Sequence, residues 1–154
     1  MRIVIDTREK APFSFLSQNG DIETERGTLA LGDYSLAGLT DRVAVERKSL
    51  ADLVACLGVE RERFQREMMR AAALEAFAVV VEASWQELAA GKYRSKLSPA
   101  SGMASVLSFM ARHRVPFLFA GNRANAEAVT AGFLRQYLKG KAHEVKAIQE
   151  AVGL

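Results

Sequence analysis

The stretch from Val43 to Leu57, VAVERKSLADLVACL, changes its period in the middle, and that change constrains the whole chain. As far as Lys48 the pattern is that of a strand. Beyond Ser49, a natural helix cap, the apolar residues fit one helix that stops at Gly58. In an extended strand alternate side chains share a face. Glu46 and Lys48 therefore project together, while Arg47 leaves on the other side with Val43 and Val45. An acid and an amine at a strand end suit phosphodiester chemistry: the carboxylate holds a divalent cation, and the ammonium orients a water or offsets transition-state charge. Solvation and helix capping account for the same charges in many chains, so this pattern does not decide the matter alone.

The rest of the chain fits an α/β domain. Strands are predicted over 2–6, within 21–27, near 31–38 and over 42–48, joined by short turns into an antiparallel meander. Residues 7–20 read as polar and irregular, with Pro12 and an Asn-Gly pair at 19–20. A charged helix is predicted over 60–76, with Phe64, Met68 and Ala71 or Ala72 as its apolar stripe. Then come a strand at 77–83, a short helix near Trp85, a basic loop at 92–99, and a helix from Pro99 to near His113. A strand at 116–121 and a helix at 124–138 complete the expected domain, 1–138, and 139–154 is its tail or a short helix. Strand, helices and strand in succession imply a partly parallel sheet covered on both sides.

Composition narrows the function classes. With 49% hydrophobic and 25% charged residues the chain is that of a globular protein, and a net charge of +3 permits nucleic-acid binding without requiring it. Cys56 sits in an apolar stretch, as a buried thiol would. One cysteine and two histidines build neither a disulfide framework nor a Cys/His zinc cluster. The amino terminus enters a strand pattern at once, and no run of about 18 apolar residues occurs, so the expected setting is cytoplasmic, without a membrane span.

Asp33, after Gly32 in the neighbouring strand segment, is the natural second carboxylate for a magnesium-type site, which takes one or two. An ordinary tight turn explains the same Gly-Asp pair. Acid, then acid-x-lysine on adjacent strands resembles the plan of the PD-(D/E)xK nucleases. The set GDY at 32–34, ERK at 46–48 and, after three intervening residues, Asp52 resembles the signature of the XPF family of structure-specific endonucleases. IDTRE at 5–9 is similar to that family's first strand, ERFQREM at 62–68 to the helix after its signature, and VVVEAS at 79–84 to its next strand. The similarity runs in order from about residue 2 to 138.

The resemblance implies a restriction-endonuclease-like fold, with a central mixed β-sheet flanked by helices on both faces. It also implies Mg²⁺- or Mn²⁺-dependent cleavage of branched DNA (flap, fork or junction), in repair or recombination. Carried over by position, Asp33 and Glu46 would hold the metal and Lys48 would be the catalytic lysine, with Asp6, Arg8, Arg47 and Asp52 in supporting places. Each has a plainer reading. Asp52 lies at capping-box spacing from Ser49, Arg8 and Arg47 could be surface charges, and Glu82 a strand-end charge. Trp85, Phe109, Phe117 and Phe119 read as core. Candidate DNA contacts are Arg63 and Gln65 on the second long helix, and Lys92, Arg94 and Lys96 in the basic loop, with Arg112-His113-Arg114 as a second basic patch.

Many XPF-family members carry a tandem helix-hairpin-helix domain after the nuclease domain, and no paired hairpin glycines indicate one here. The missing phosphate contacts are expected from a second copy or a heteromeric partner, docked on the helix from Pro99, the strand 116–121 and the helix bearing Val129, Phe133 and Leu134. The competing expectation is a non-catalytic DNA-binding or partner subunit that keeps the fold; an unrelated α/β domain with a chance acid-x-lysine is the third.

Overall fold

The computed structural model describes residues 1–16, 18 and 20–154. Asn19 of the expected Asn-Gly turn lies outside them. Among these residues the strands are β1 (Arg2–Asp6), β2 (Glu23–Gly27), β3 (Tyr34–Leu36), β4 (Val43–Lys48), β5 (Ala76–Val81) and β6 (Phe117–Phe119). The helices are α1 (Leu50–Leu57), α2 (Arg61–Ala71), α3 (Trp85–Ala89), α4 (Pro99–His113) and α5 (Arg123–Val152). One mixed sheet runs in the order β2-β1-β3-β4-β5-β6, with helices on both faces as expected. Because β3 is antiparallel to both β1 and β4, it alone opposes the common direction. The carboxyl ends of the other five strands therefore meet at one end of the sheet, where ligands bind in open α/β sheets.

The antiparallel meander expected for the first four strands is corrected at its start, since β1 and β2 pair in parallel with Arg2 beside Glu23. Parallel neighbours need a crossover of roughly a dozen residues or more. Residues 7–22 supply it, and they are not simply polar. Phe13 and Phe15 are buried there; Phe13 stacks on Tyr34 with centroids 5.1 Å apart, and Phe15 meets Tyr34 edge-on at 5.6 Å. The Tyr34 hydroxyl accepts the Phe13 N–H at 3.0 Å, which ties the crossover to the sheet.

Two helix ends also differ from expectation. α2 stops at Ala71 although alanines follow, because Ala76 is drawn into the sheet opposite Val43, its N–H donating to the Arg42 carbonyl at 3.1 Å. Pairing overrides propensity there. α5 does not end at 138 but continues through Gly140 to Val152. A glycine inside a helix costs about 1 kcal/mol. Lys141, one residue on, pairs with Glu75 on the body and with Glu144 on its own helix, and so carries the helix past that weak point.

The sheet divides two cores. One face packs Ala44, Val79 and Val81 against Leu53, Leu57, Phe64, Met68, Leu88, Val106 and Phe109 of the α1–α4 layer. The other packs Ile3, Ile5, Tyr34, Val43, Val45 and Val80 against Phe13, Phe15 and Ala126, Ala131 and Leu134 of α5. The strict alternation Val43, Ala44, Val45 decides what comes next: Glu46 and Lys48 emerge on the α2 side, and Arg47 on the α5 side.

Candidate active site

At the carboxyl end of β4 the backbone of the incoming β3 strand is pinned before any side chain acts. Gly32 has φ +80°, and a Cβ there would lie 2.9 Å from the Ala44 Cβ and 3.0 Å from the Val45 carbonyl, so only glycine lets the chain cross β4 this closely. Asp33 then donates its N–H to Val45 O at 2.8 Å, and its own carbonyl accepts the Asp6 N–H at 2.9 Å. Its side-chain Oδ2 accepts the Arg47 N–H at 2.8 Å. Asp33 is thereby fixed to both neighbouring strands.

Asp33, Glu46 and Lys48 line one cleft of about 400 Å³. Lys48 Nζ donates to Glu46 Oε1 at 2.6 Å, and Glu46 is only 7% exposed. Burial, then the Glu46 charge, pushes the Asp33 carboxyl up to about 7 against the opposing Arg47 N–H. Burial also pushes Glu46 up to about 7; the Lys48 ammonium opposes the shift and the Glu67 carboxyl adds to it. Burial works against the Lys48 ammonium, but the Glu46 charge outweighs it and leaves the lysine above its ordinary value. The pair Asp33 and Glu46 thus has one ammonium, bonded to Glu46, with arginines on the surrounding walls of the cleft.

Asp6 borders the same cleft but is fully occupied. It accepts Arg8 N–H at 2.9 Å, Arg8 Nε at 2.7 Å, Arg8 Nη2 at 3.1 Å and Leu29 N–H at 2.8 Å. The Arg8 guanidinium above all holds its carboxyl down to about 2, against the opposing effect of burial. Asp6 and Arg8 therefore bind the segment that delivers Gly32 and Asp33.

The far wall is α2, which contributes Arg63, Arg66, Glu67 and Arg70. Of these only Arg63 was anticipated. The signal was present: 63, 66, 67 and 70 share the helix face beside the buried Phe64, Met68 and Ala71. Sequence alone does not say that this face turns back over the end of β4.

The remaining candidates lie elsewhere. Arg47 and Glu82 meet on the α5 side of the sheet. Asp52 is exposed in the first turn of α1, where its N–H donates to Ser49 Oγ at 3.1 Å and its Oδ2 accepts the Ser49 hydroxyl at 2.7 Å; it does not line the cleft. Gln65 is exposed, outside the cleft. Lys92, Arg94 and Lys96 are exposed on the α3–α4 loop, and Arg94 and Lys96 border a shallow groove against α1. The Arg112-His113-Arg114 patch is at the wrong end: His113 and Arg114 border a depression with Ala76 and Phe77, where β5 begins. Of the expected docking residues, Leu134 is buried in the α5-side core, with Val129 and Phe133 packed against it.

Over residues 5–133 the chain matches the family model described as the ERCC4 domain. Its fold is similar to that of XPF from Aeropyrum pernix solved in complex with DNA, with TM-score 0.69 and 21% identity over 90% of this chain and 66% of that one. A second structure of XPF from Aeropyrum pernix gives TM-score 0.72 and 21% identity over 99% of this chain and 72% of that one. The chain thus spans about two thirds of the length of the DNA-complexed protein. No curated protein matches it.

Proposed function

The chain belongs to the ERCC4-domain family, and from that premise we propose that it is a metal-dependent DNA endonuclease that hydrolyses phosphodiesters in branched or structured DNA, in repair or recombination. The observation that supports this most is the pair of carboxylates in one cleft, half-buried Asp33 and buried Glu46, both held well above the ordinary carboxylate range, with the Lys48 ammonium on Glu46.

That donor set fits a hard divalent cation. Two carboxylates driven up to about 7 by burial and by neighbouring acids (Glu46 beside Asp33, Glu67 beside Glu46) are the groups whose ionised form such a cation stabilises. Among the described residues no three His, Cys, Asp or Glu side chains form a ready metal cluster. Mg²⁺ takes one or two carboxylates and keeps several waters, so Asp33 and Glu46 would hold Mg²⁺ or Mn²⁺ without a third. When bound, the ion supplies charge to the scissile phosphate and lowers the pKa of a water.

The chain's own groups do the rest. Lys48 directs its amine into the cleft, where it orients the attacking water or offsets charge as the phosphate becomes five-coordinate. Arg66 is exposed on the cleft wall with no ion pair among the described residues, and so is available to a phosphate oxygen; Arg63 shares its charge with Glu60 at 2.7 Å. A second copy of the chain, or a heteromeric partner, adds phosphate contacts; Leu107 and Met110 on α4 are among the exposed apolar residues available for that pairing.

The test is incubation of the purified protein with flap, fork, bubble and linear duplex DNA, with Mn²⁺ or with EDTA. Metal-dependent cutting of the branched substrates, absent from Glu46→Gln, is the expected result. Tight DNA binding without cutting would transfer the protein to the non-catalytic reading.

A further inference from the structure

Behind the cleft, on the α5 side of the sheet, lies an ion-pair network that the proposed chemistry leaves unused. Arg47 donates Nε to Glu9 Oε2 at 2.9 Å, Nη2 to Glu9 Oε1 at 2.9 Å and Nη1 to Glu82 Oε1 at 3.0 Å. The same Glu82 oxygen accepts Arg123 Nη1 at 3.0 Å. Both guanidiniums lie over the Phe13 ring, Arg47 at 5.8 Å and Arg123 at 4.9 Å. Arg123 also donates to the Ala11 and Pro12 carbonyls. Four segments are joined here: the crossover after β1, the end of β4, the residue after β5 and the first turn of α5.

Arg47 faces both ways. Its side chain is held in this network, while its backbone N–H reaches Asp33 Oδ2 at 2.8 Å in the cleft. We infer that Arg47 is a positioning residue: the Glu9–Arg47–Glu82–Arg123 network fixes the peptide that orients Asp33, and thereby sets how Asp33, Glu46 and Lys48 face one another. Three of the five donors of its guanidinium are taken by carboxylates and the Arg47 side chain is only 16% exposed, so the group is committed to the network rather than presented to a phosphate. The two-pronged bond to Glu9 needs the planar fork of arginine; the single ammonium of lysine cannot reproduce it.

This inference rests on the nuclease reading of the cleft, so its test has one readout that depends on that reading and one that does not. The variants are Arg47→Lys and Glu82→Gln, each checked for folding by circular dichroism. The first readout is Mn²⁺ affinity by calorimetry together with kcat and KM on a fork substrate. Groups that orient a metal ligand typically change affinity or activity by about 10–100-fold. For Arg47→Lys we expect Mn²⁺ affinity and kcat to fall within that range while KM for DNA stays within about twofold. Glu82→Gln, which keeps an acceptor, should lose less. The second readout is hydrogen exchange of the residue-47 amide by NMR in metal-free protein, expected to speed up in both variants as its bond to Asp33 loosens.

A KM rise of tenfold or more at unchanged Mn²⁺ affinity would place the guanidinium on DNA and overturn the inference. So would unaltered exchange at residue 47. If wild-type protein neither binds Mn²⁺ nor cuts, the nuclease reading fails, and amide exchange still decides whether the network positions Asp33.

Discussion

The last three residues of β4 serve two faces of one sheet, and the faces treat charge in opposite ways. On the α2 side, half-buried Asp33 and buried Glu46 share one cleft, each pushed up to about 7, with one lysine bonded to Glu46. On the α5 side, Glu9 is buried too, yet the paired Arg47 guanidinium outweighs burial and holds its carboxyl below the ordinary value. Burial opposes ionisation on both faces; what differs is whether each charge has a complete partner. A network that satisfies itself is a structural brace. On the other face two carboxylates have one ammonium and, among the described residues, no guanidinium ion-paired with either, which leaves them able to take a cation.

The largest expected effects come from the unsatisfied face. Glu46→Gln removes a donor of the proposed cation site, so Mn²⁺ binding by calorimetry and cleavage in gel assays should both collapse, whereas Lys48→Ala should keep the metal and slow the single-turnover rate by about 10²–10³-fold. Equal metal loss in both variants would mean that Lys48 shapes the site rather than the chemistry.

The satisfied face should break as structure. Arg47→Ala leaves Glu9 buried and Glu82 with only Arg123, a loss of about 2–4 kcal/mol once the partial exposure of the pairs is allowed for. Urea unfolding measures it, and adding Glu9→Gln should restore part of the loss. A change below about 0.5 kcal/mol, as for an ordinary surface substitution, would remove the contrast between the faces.

The same experiment on Asp33 should have the opposite sign. Asn keeps an acceptor for the Arg47 N–H but removes the charge. A carboxyl whose folded pKa is raised from 3.8 to about 7 makes the folded state hold the extra proton, so metal-free wild-type protein loses stability as pH rises through that window. Asp33→Asn should therefore equal wild type near pH 4, gain on it steadily, and level off above pH 7 at roughly 1–3 kcal/mol more stable. Urea midpoints across that range test the curve; a gain that is flat with pH would show that the charge is not the cause.

The smallest effect is on the cleft wall. Arg66→Ala should weaken DNA binding on all substrates alike and make the slope of log K against log salt shallower by about 0.9, one phosphate contact. Fluorescence anisotropy over a salt series reads this, and Arg63→Ala, already paired with Glu60, should change it less.

These contrasts were unevenly legible in the sequence. Strands marked by β-branched runs and helices marked by Ser49, Pro99 or Gly58 stand where local chemistry puts them. Strand alternation was enough to send Glu46 and Lys48 one way and Arg47 the other. The parallel pairing of β1 with β2 was hidden because it depends on Phe13 and Phe15 finding Tyr34, a meeting that no local pattern encodes. For the same reason Glu67 and Arg66 on one side, and Glu9 and Arg123 on the other, escaped notice. Each belongs to a segment whose own periodicity is complete without its neighbour. Asp52 shows the reverse case, since its spacing matches a family signature while its bonds are those of a cap.

The composition of the brace also has a consequence in time. Asp6, Asp33, Glu46 and Lys48 all lie in the first third of the chain, but Arg123 is made 75 residues after Lys48. At roughly 5–20 residues per second, the ribosome adds that arginine about 4–15 s after the lysine. During synthesis the α5-side face of β4 therefore waits on the last helix. Glu82 has only half its final cations until α5 docks, and the acidic end of the sheet reaches its finished form only when the fold around it is nearly complete.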